Sequence, residues 1–113
     1  MFNIRLTGSV MFCAALFTGS AMAGGDPQAG KEKSQVCAGC HGVDGNPTVT
    51  ANPRLAGQYE SYLLQALKEY KNGERQDMLM GGMVANLSVQ DMKDLAAWFS
   101  SQTGNTLQVL PDD

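Results

Sequence analysis

Cys37-Ala38-Gly39-Cys40-His41 sets two thiols three positions apart with an imidazole directly after the second. The chemistry this run implies is covalent attachment of a c-type haem. The two sulfurs form thioethers with the two vinyl groups of one porphyrin, and the adjacent imidazole falls under the iron. Competing chemistries fail on ligand arithmetic. A structural zinc site needs about four Cys or His ligands, and beyond the first two dozen residues Cys37, Cys40 and His41 are the whole supply. A thioredoxin-like dithiol sits on a helix that follows a strand, and no run of Val, Ile and aromatics precedes Cys37.

Positioning such a motif falls to the rest of the chain, whose ends bear on where it acts. Met1 to Ala23 reads as an export leader: Arg5 gives the positive start, Val10 to Phe17 is mostly apolar, and Ala21-Met22-Ala23 has the small-x-small form of a cleavage site. An uncleaved anchor is the alternative, but Thr18, Gly19 and Ser20 cut the apolar run short of a bilayer span. Cys13 lies within this leader and is assigned no chemistry. Export and haem attachment agree, because an exposed dithiol outside the cytoplasm oxidises unless it is used. The expected location is the periplasm.

Residues 24–104 then form one small domain, with 105–113 a tail of no evident core role. A chain this short buries a modest share of its surface, so a large flat apolar cofactor supplies core that the polypeptide lacks. The apo form is accordingly expected to be largely unfolded. Without the leader, seven Lys and Arg face eleven Asp and Glu, a net charge of −4. That balance argues against nucleic acid and against an anionic membrane surface. Lys31, Lys33, Lys68, Lys71 and Arg75 nevertheless suggest a local positive rim.

The predicted elements are helical. Asp26-Pro27 starts a helix expected to run to about Ala38. Gly30 inside it costs about 1 kcal/mol relative to Ala, so close packing, for example against a large ring, is expected to compensate. Gly42 to Gly57 reads as an irregular loop around one side of the cofactor. Tyr59, Tyr62, Leu63, Ala66, Leu67 and Tyr70 recur at helical offsets and predict a helix over about Gln58 to Lys71, ended by Asn72-Gly73. Met78 to Met83 contains two glycines and is not expected to be helical. Ser88 to Asp91 has capping-box form and opens a last helix to about Gln102. Its inward stripe would be Val89, Met92, Leu95, Ala96 and Phe99, with Trp98 beside it and Gly104 as its stop.

His41 is the single histidine, which makes it the proximal iron ligand and leaves the sixth position to another donor. A methionine thioether favours ferrous over ferric iron and raises the potential of a His-ligated haem. Met78, Met80 and Met83 are all candidates, although at least two of the three must be packing residues.

Further residues carry a family resemblance. Cys37 to Gly42 with Asp44-Gly45-Asn46, then Pro53-Arg54-Leu55-Ala56-Gly57-Gln58, Tyr62-Leu63, Leu87-Ser88 and Leu95-Ala96-Ala97-Trp98-Phe99 together resemble a class I c-type cytochrome. Within that class the chain is most similar to one half of the dihaem cytochrome c-four group and its small monohaem relatives. The resemblance implies an all-α, small cytochrome c fold, with about three main helices wrapped around one covalently attached haem. In that family the axial methionine lies seven positions before the apolar residue of the apolar-Ser pair that opens the last helix, which corresponds to Met80 here. The Pro53 carbonyl would accept a hydrogen bond from the free ring nitrogen of His41, and Arg54 would approach a haem propionate. Gly30 with Leu95 and Trp98 would join the first and last helices. Tyr59, Tyr62 and Tyr70 are read as core rather than as redox relays. Gly81-Gly82 stands where relatives often have a proline, a departure that implies a more mobile ligand segment.

A haem capped on both faces has no position for substrate, so the expected protein is a non-enzymatic, periplasmic single-electron carrier holding one haem c. Its expected partners are redox proteins, with a quinol-oxidising complex or dehydrogenase as donor and a terminal oxidase or reductase as acceptor. Neither nucleic acid nor stable membrane insertion is expected. One alternative is a haem-bearing subunit of a periplasmic dehydrogenase. A haem enzyme or gas sensor with a labile sixth ligand is another, but the sequence offers it no second histidine for acid-base work.

Overall fold

The computed structural model describes residues 24–103, so the expected leader with Cys13, the stop at Gly104 and the tail 105–113 lie outside the described residues. Within them the fold is all-α, with helices α1 (Pro27–Lys33), α2 (Gln35–His41), α3 (Glu60–Asn72), α4 (Met78–Val84) and α5 (Val89–Ser101). Two thirteen-residue helices, α3 and α5, form the frame, and three seven-residue helices pack around it.

Asp26 starts α1 as expected, its carboxylate accepting the Gln28 N–H at 2.9 Å with Pro27 in the first turn. The helix does not continue to Ala38. Ser34 interrupts it at ψ −4°, its hydroxyl donating to the Lys31 carbonyl at 2.7 Å. Its N–H is shared between the Gly30 and Lys31 carbonyls at 2.9 and 3.3 Å. A serine hydroxyl that bonds back to the preceding turn competes with the regular ladder, and the helix unwinds by one residue. The Cys-x-x-Cys-His run therefore rides on its own short helix, α2.

Helices α1 and α5 approach each other closely. A Cβ on Gly30 would lie 1.9 Å from the Asp94 carbonyl oxygen and 2.8 Å from Trp98 Cβ. Gly30 is thus compensated by contact with α5, not by packing against a ring. A polar knot holds the same crossing. Asp94, buried on α5, accepts the Asp26 N–H at 2.8 Å, Gln90 Nε2 at 2.8 Å and Lys33 Nζ at 2.5 Å. Lys33 also reaches Asp91 at 2.8 Å.

The Lys33 ammonium, helped by the Ser88 N–H and hydroxyl, pulls the Asp91 carboxyl down to about 2. Burial alone would raise Asp94, but the hydrogen bonds from Lys33, the Asp26 N–H and Gln90 outweigh it and hold that carboxyl below its usual range. Carboxylates depressed by folding stabilise the native state above their ordinary pKa near 4 and lose that contribution as pH falls through the folded value. The holoprotein is therefore expected to lose thermal stability between about pH 4 and about 2. Lys33→Met should melt lower than the native protein at pH 7, with the gap narrowing toward pH 2; a gap independent of pH would refute the assignment.

The apolar core joins Leu63 of α3 to Leu95, Ala96 and Phe99 of α5, fringed by Cys37, Leu55, Leu64, Leu67, Leu87 and Trp98. The expected capping box of α5 is present, Ser88 Oγ accepting the Asp91 N–H at 3.0 Å and Asp91 Oδ2 accepting the Ser88 N–H at 2.9 Å. Val89 is 53% exposed, not inward. It lies one turn before Met92, where α5 borders a shallow cleft shared with Lys68, Lys71 and Asn72.

Helix α3 ends at Gly73 as expected, in the left-handed conformation. Two of the three tyrosines are not core: Tyr59 precedes the helix and is 80% exposed, and Tyr62 is half exposed, while Tyr70 is partly buried. The Arg75 guanidinium stands over the Tyr62 and Tyr70 rings at 5.9 and 5.4 Å. Lys33 is bound to α5, and Lys31 stands over the Trp98 ring at 5.6 Å.

The methionine segment departs most from expectation. Met78–Val84 is helical despite Gly81 and Gly82, because Asp77 caps it, accepting the Met80 N–H at 2.9 Å.

Candidate haem site

Helix α2 carries Cys37, Cys40 and His41 at relative positions i, i+3 and i+4, so all three project from one side of a single turn. Gly42 closes that turn at φ 82°, a conformation that glycine adopts without strain. Cys37 packs into the fringe of the apolar core, while Cys40 is exposed. The two thiols are not joined to each other. Burial pushes the Cys37 thiol above its ordinary value. No group of three or more His, Cys, Asp or Glu among the described residues is disposed to hold a metal ion.

His41 is buried, its Nδ1 lying 2.8 Å from the Pro53 carbonyl oxygen. A carbonyl only accepts, so Nδ1 carries the proton and Nε2 keeps its lone pair for a ligand. The loop delivers Pro53 to this position by its own hydrogen bonds. The Gly45 carbonyl accepts the N–H groups of Leu55 and Ala56 at 2.9 and 3.1 Å, and the Gly57 N–H donates to the Phe99 carbonyl at 3.0 Å. The 42–57 loop is thus irregular, as composition implied, yet anchored at both ends. Arg54 is exposed beside Pro53.

Of the three methionines, Met78 is 96% exposed and Met83 50%, while Met80 is partly buried. Sequence reasoning passed over Asp77, which sets the register of Met80, and Ser34, which frees α2 from α1. An acidic residue just before an apolar run is a recognised helix start and marked Asp77 in retrospect; nothing in the local sequence marks Ser34.

The residues fit a large apolar ring. Two thiols and one free imidazole nitrogen share a side of α2, and Val43, Val49, Tyr62, Met78, Leu79 and Met83 are large apolar side chains half exposed or more. At Gly39, Gly81 and Gly82 an added Cβ would meet no protein atom within 4 Å, so polypeptide does not crowd these stretches of α2 and α4.

The family model described as Cytochrome c matches residues 27–103. Cytochrome c4 of Pseudomonas aeruginosa is 49% identical over 85 residues, covering 75% of this chain and 42% of that protein. Cytochrome c-554(548) of Halomonas halodenitrificans is 41% identical over 81 residues, covering 69% of this chain and 98% of the relative. The fold is similar to the crystal structure of reduced recombinant cytochrome c4 from Pseudomonas stutzeri, with a TM-score of 0.68 at 47% identity, covering 71% of this chain and 47% of that one. The chain thus spans about half the length of the cytochromes c4 it matches.

Proposed function

The chain belongs to the cytochrome c family, which carries covalently bound c-type haem, and from that premise we propose that it is a periplasmic single-electron carrier with one haem c held between His41 and Met80. The observation that carries this reading is the 2.8 Å bond from His41 to Pro53, because it leaves a single oriented imidazole nitrogen one turn from Cys37 and beside Cys40. When bound, the haem supplies one-electron redox chemistry at its iron.

Each residue then has a task. Cys37 and Cys40 would hold the porphyrin through thioethers, and His41 would ligate its iron through Nε2. The Pro53 carbonyl holds that ring in orientation and raises its basicity. Met80 would supply its thioether as the second protein ligand, favouring the reduced state. Arg54 serves a propionate. With His41 and Met80 both holding the iron, no substrate would bind there, and the protein is an electron carrier and not an enzyme.

A single Cys-x-x-Cys-His run supports one haem. Residues 1–23, proposed as a cleaved leader, support the periplasm, and no described helix is long and apolar enough to cross a membrane. The proposed partners are a quinol-oxidising complex or dehydrogenase as donor and a terminal oxidase or reductase as acceptor, met through small short-lived interfaces. A second reading, a subunit of a dehydrogenase, is favoured by 33% identity over 72 residues to the cytochrome subunit of sulfide dehydrogenase from Chlorobaculum tepidum; co-purification of a stable complex would support it.

Met80→Ala tests the ligand assignment. The weak sulfur-to-iron band of the ferric protein should disappear and the reduction potential should fall. An unchanged band would move the ligand to Met83 or Met78.

A further inference from the structure

A seven-residue helix containing two adjacent glycines does not hold itself together. Each glycine costs about 1 kcal/mol relative to alanine, and helices shorter than about 12 residues are marginal in water even with good formers. Helix α4 must therefore be fixed from outside. Its first turn is tied by Asp77, whose carboxylate accepts the Met80 N–H at 2.9 Å. Its other end is tied across the fold. Lys71, in the last turn of α3, donates from Nζ to the carbonyl of Ala85 at 3.2 Å and to that of Leu87. Ala85 is the C-terminal cap of α4, and Leu87 closes the turn into α5, its N–H donating to the Val84 carbonyl at 3.0 Å.

A cation on the last carbonyls of a helix satisfies acceptors that have no partner in the helix and complements the negative end of its dipole. We infer that Lys71 is a positioning residue for the sixth haem ligand: by clamping the Ala85–Leu87 turn to α3 it fixes the helix that carries Met80. The inference rests on the proposed His41/Met80 ligation. It assigns Lys71 a specific task within the fold, so that its loss loosens Met80 without removing the methionine.

Lys68, one turn earlier on α3 and exposed, donates to no protein oxygen among the described residues. It supplies a control of equal charge. The experiment compares ferric holoproteins of the native sequence, Lys71→Met, Lys71→Arg and Lys68→Met, recording the sulfur-to-iron band and titrating with imidazole, which binds iron when the methionine leaves. Losing a charge-assisted tie to two carbonyls should raise the population of the open form, and with it the imidazole affinity, about tenfold or more in Lys71→Met, with a weaker sulfur-to-iron band. Lys71→Arg, which keeps a cationic donor, and Lys68→Met, which loses the same charge, should stay near native. Should Lys71→Met yield no holoprotein, Lys71→Gln gives the same comparison through a shorter neutral donor. Native-like imidazole affinity in Lys71→Met, or an equal rise in Lys68→Met, would overturn the role of Lys71. A native ferric spectrum without the sulfur-to-iron band would refute the ligation itself, so the two failures are told apart.

Discussion

Replacing both Cys37 and Cys40 by Ser is expected to make haem fully extractable by acidified organic solvent, where the native protein retains it. Only carbon–sulfur bonds survive a treatment that unfolds the chain and protonates His41, so retention measures thioethers and nothing weaker. The geometry makes the pair necessary: the two sulfurs sit one helical turn apart on α2, and each has a separate vinyl group to serve. Either single variant keeps one bond and should still resist extraction. The double variant should also accumulate poorly, since a small domain without its apolar cofactor buries too little surface to offset chain entropy. Haem that stays with the doubly substituted chain in acid would remove the basis for the covalent assignment.

The second large effect is at Gly30. At an ordinary helical site Gly→Ala stabilises by about 1 kcal/mol, and here the sign should reverse. The new Cβ would fall 1.9 Å from the Asp94 carbonyl oxygen and 2.6 Å from its carbon, both backbone atoms that cannot turn aside. Forcing α1 off α5 strains the Asp26 and Lys33 bonds to Asp94 as well. Overpacking of this kind costs about 1–3 kcal/mol and occasionally more, a large share of the roughly 5–15 kcal/mol typical of a whole domain. Gly30→Ala holoprotein should unfold at a markedly lower guanidinium concentration, and Gly30→Val should not accumulate. An alanine variant as stable as the native protein would show that α1 and α5 do not approach this closely.

The site was more legible in the sequence than the fold around it. Cys37, Cys40 and His41 are read directly because covalent attachment imposes a fixed spacing on adjacent residues, and the Ser88–Asp91 capping box is local in the same way. Errors arose where tertiary contacts decide. The Ser34 break depends on whether a serine hydroxyl turns back to Lys31 or out to water, which composition does not reveal. Helix α4 looked too glycine-rich, and it forms because Asp77 and Lys71 secure its ends from outside its own sequence. The apolar stripe of α3 was read too wide. Its periodicity includes Tyr59 and Tyr62 at the edge, but only Leu63 is buried, with Leu64 and Leu67 partly so.

In the proposed carrier, one covalent haem is closed by protein on both faces, so that only electrons pass. The most direct measurement is the spectrum of the purified native holoprotein, oxidised and then reduced, before and after carbon monoxide. One haem per chain, a sulfur-to-iron band in the ferric form and a ferrous spectrum unmoved by carbon monoxide are expected. A ferrous spectrum that shifts on adding carbon monoxide would contradict that closure, because an open iron position belongs to a sensor or an enzyme rather than to a carrier.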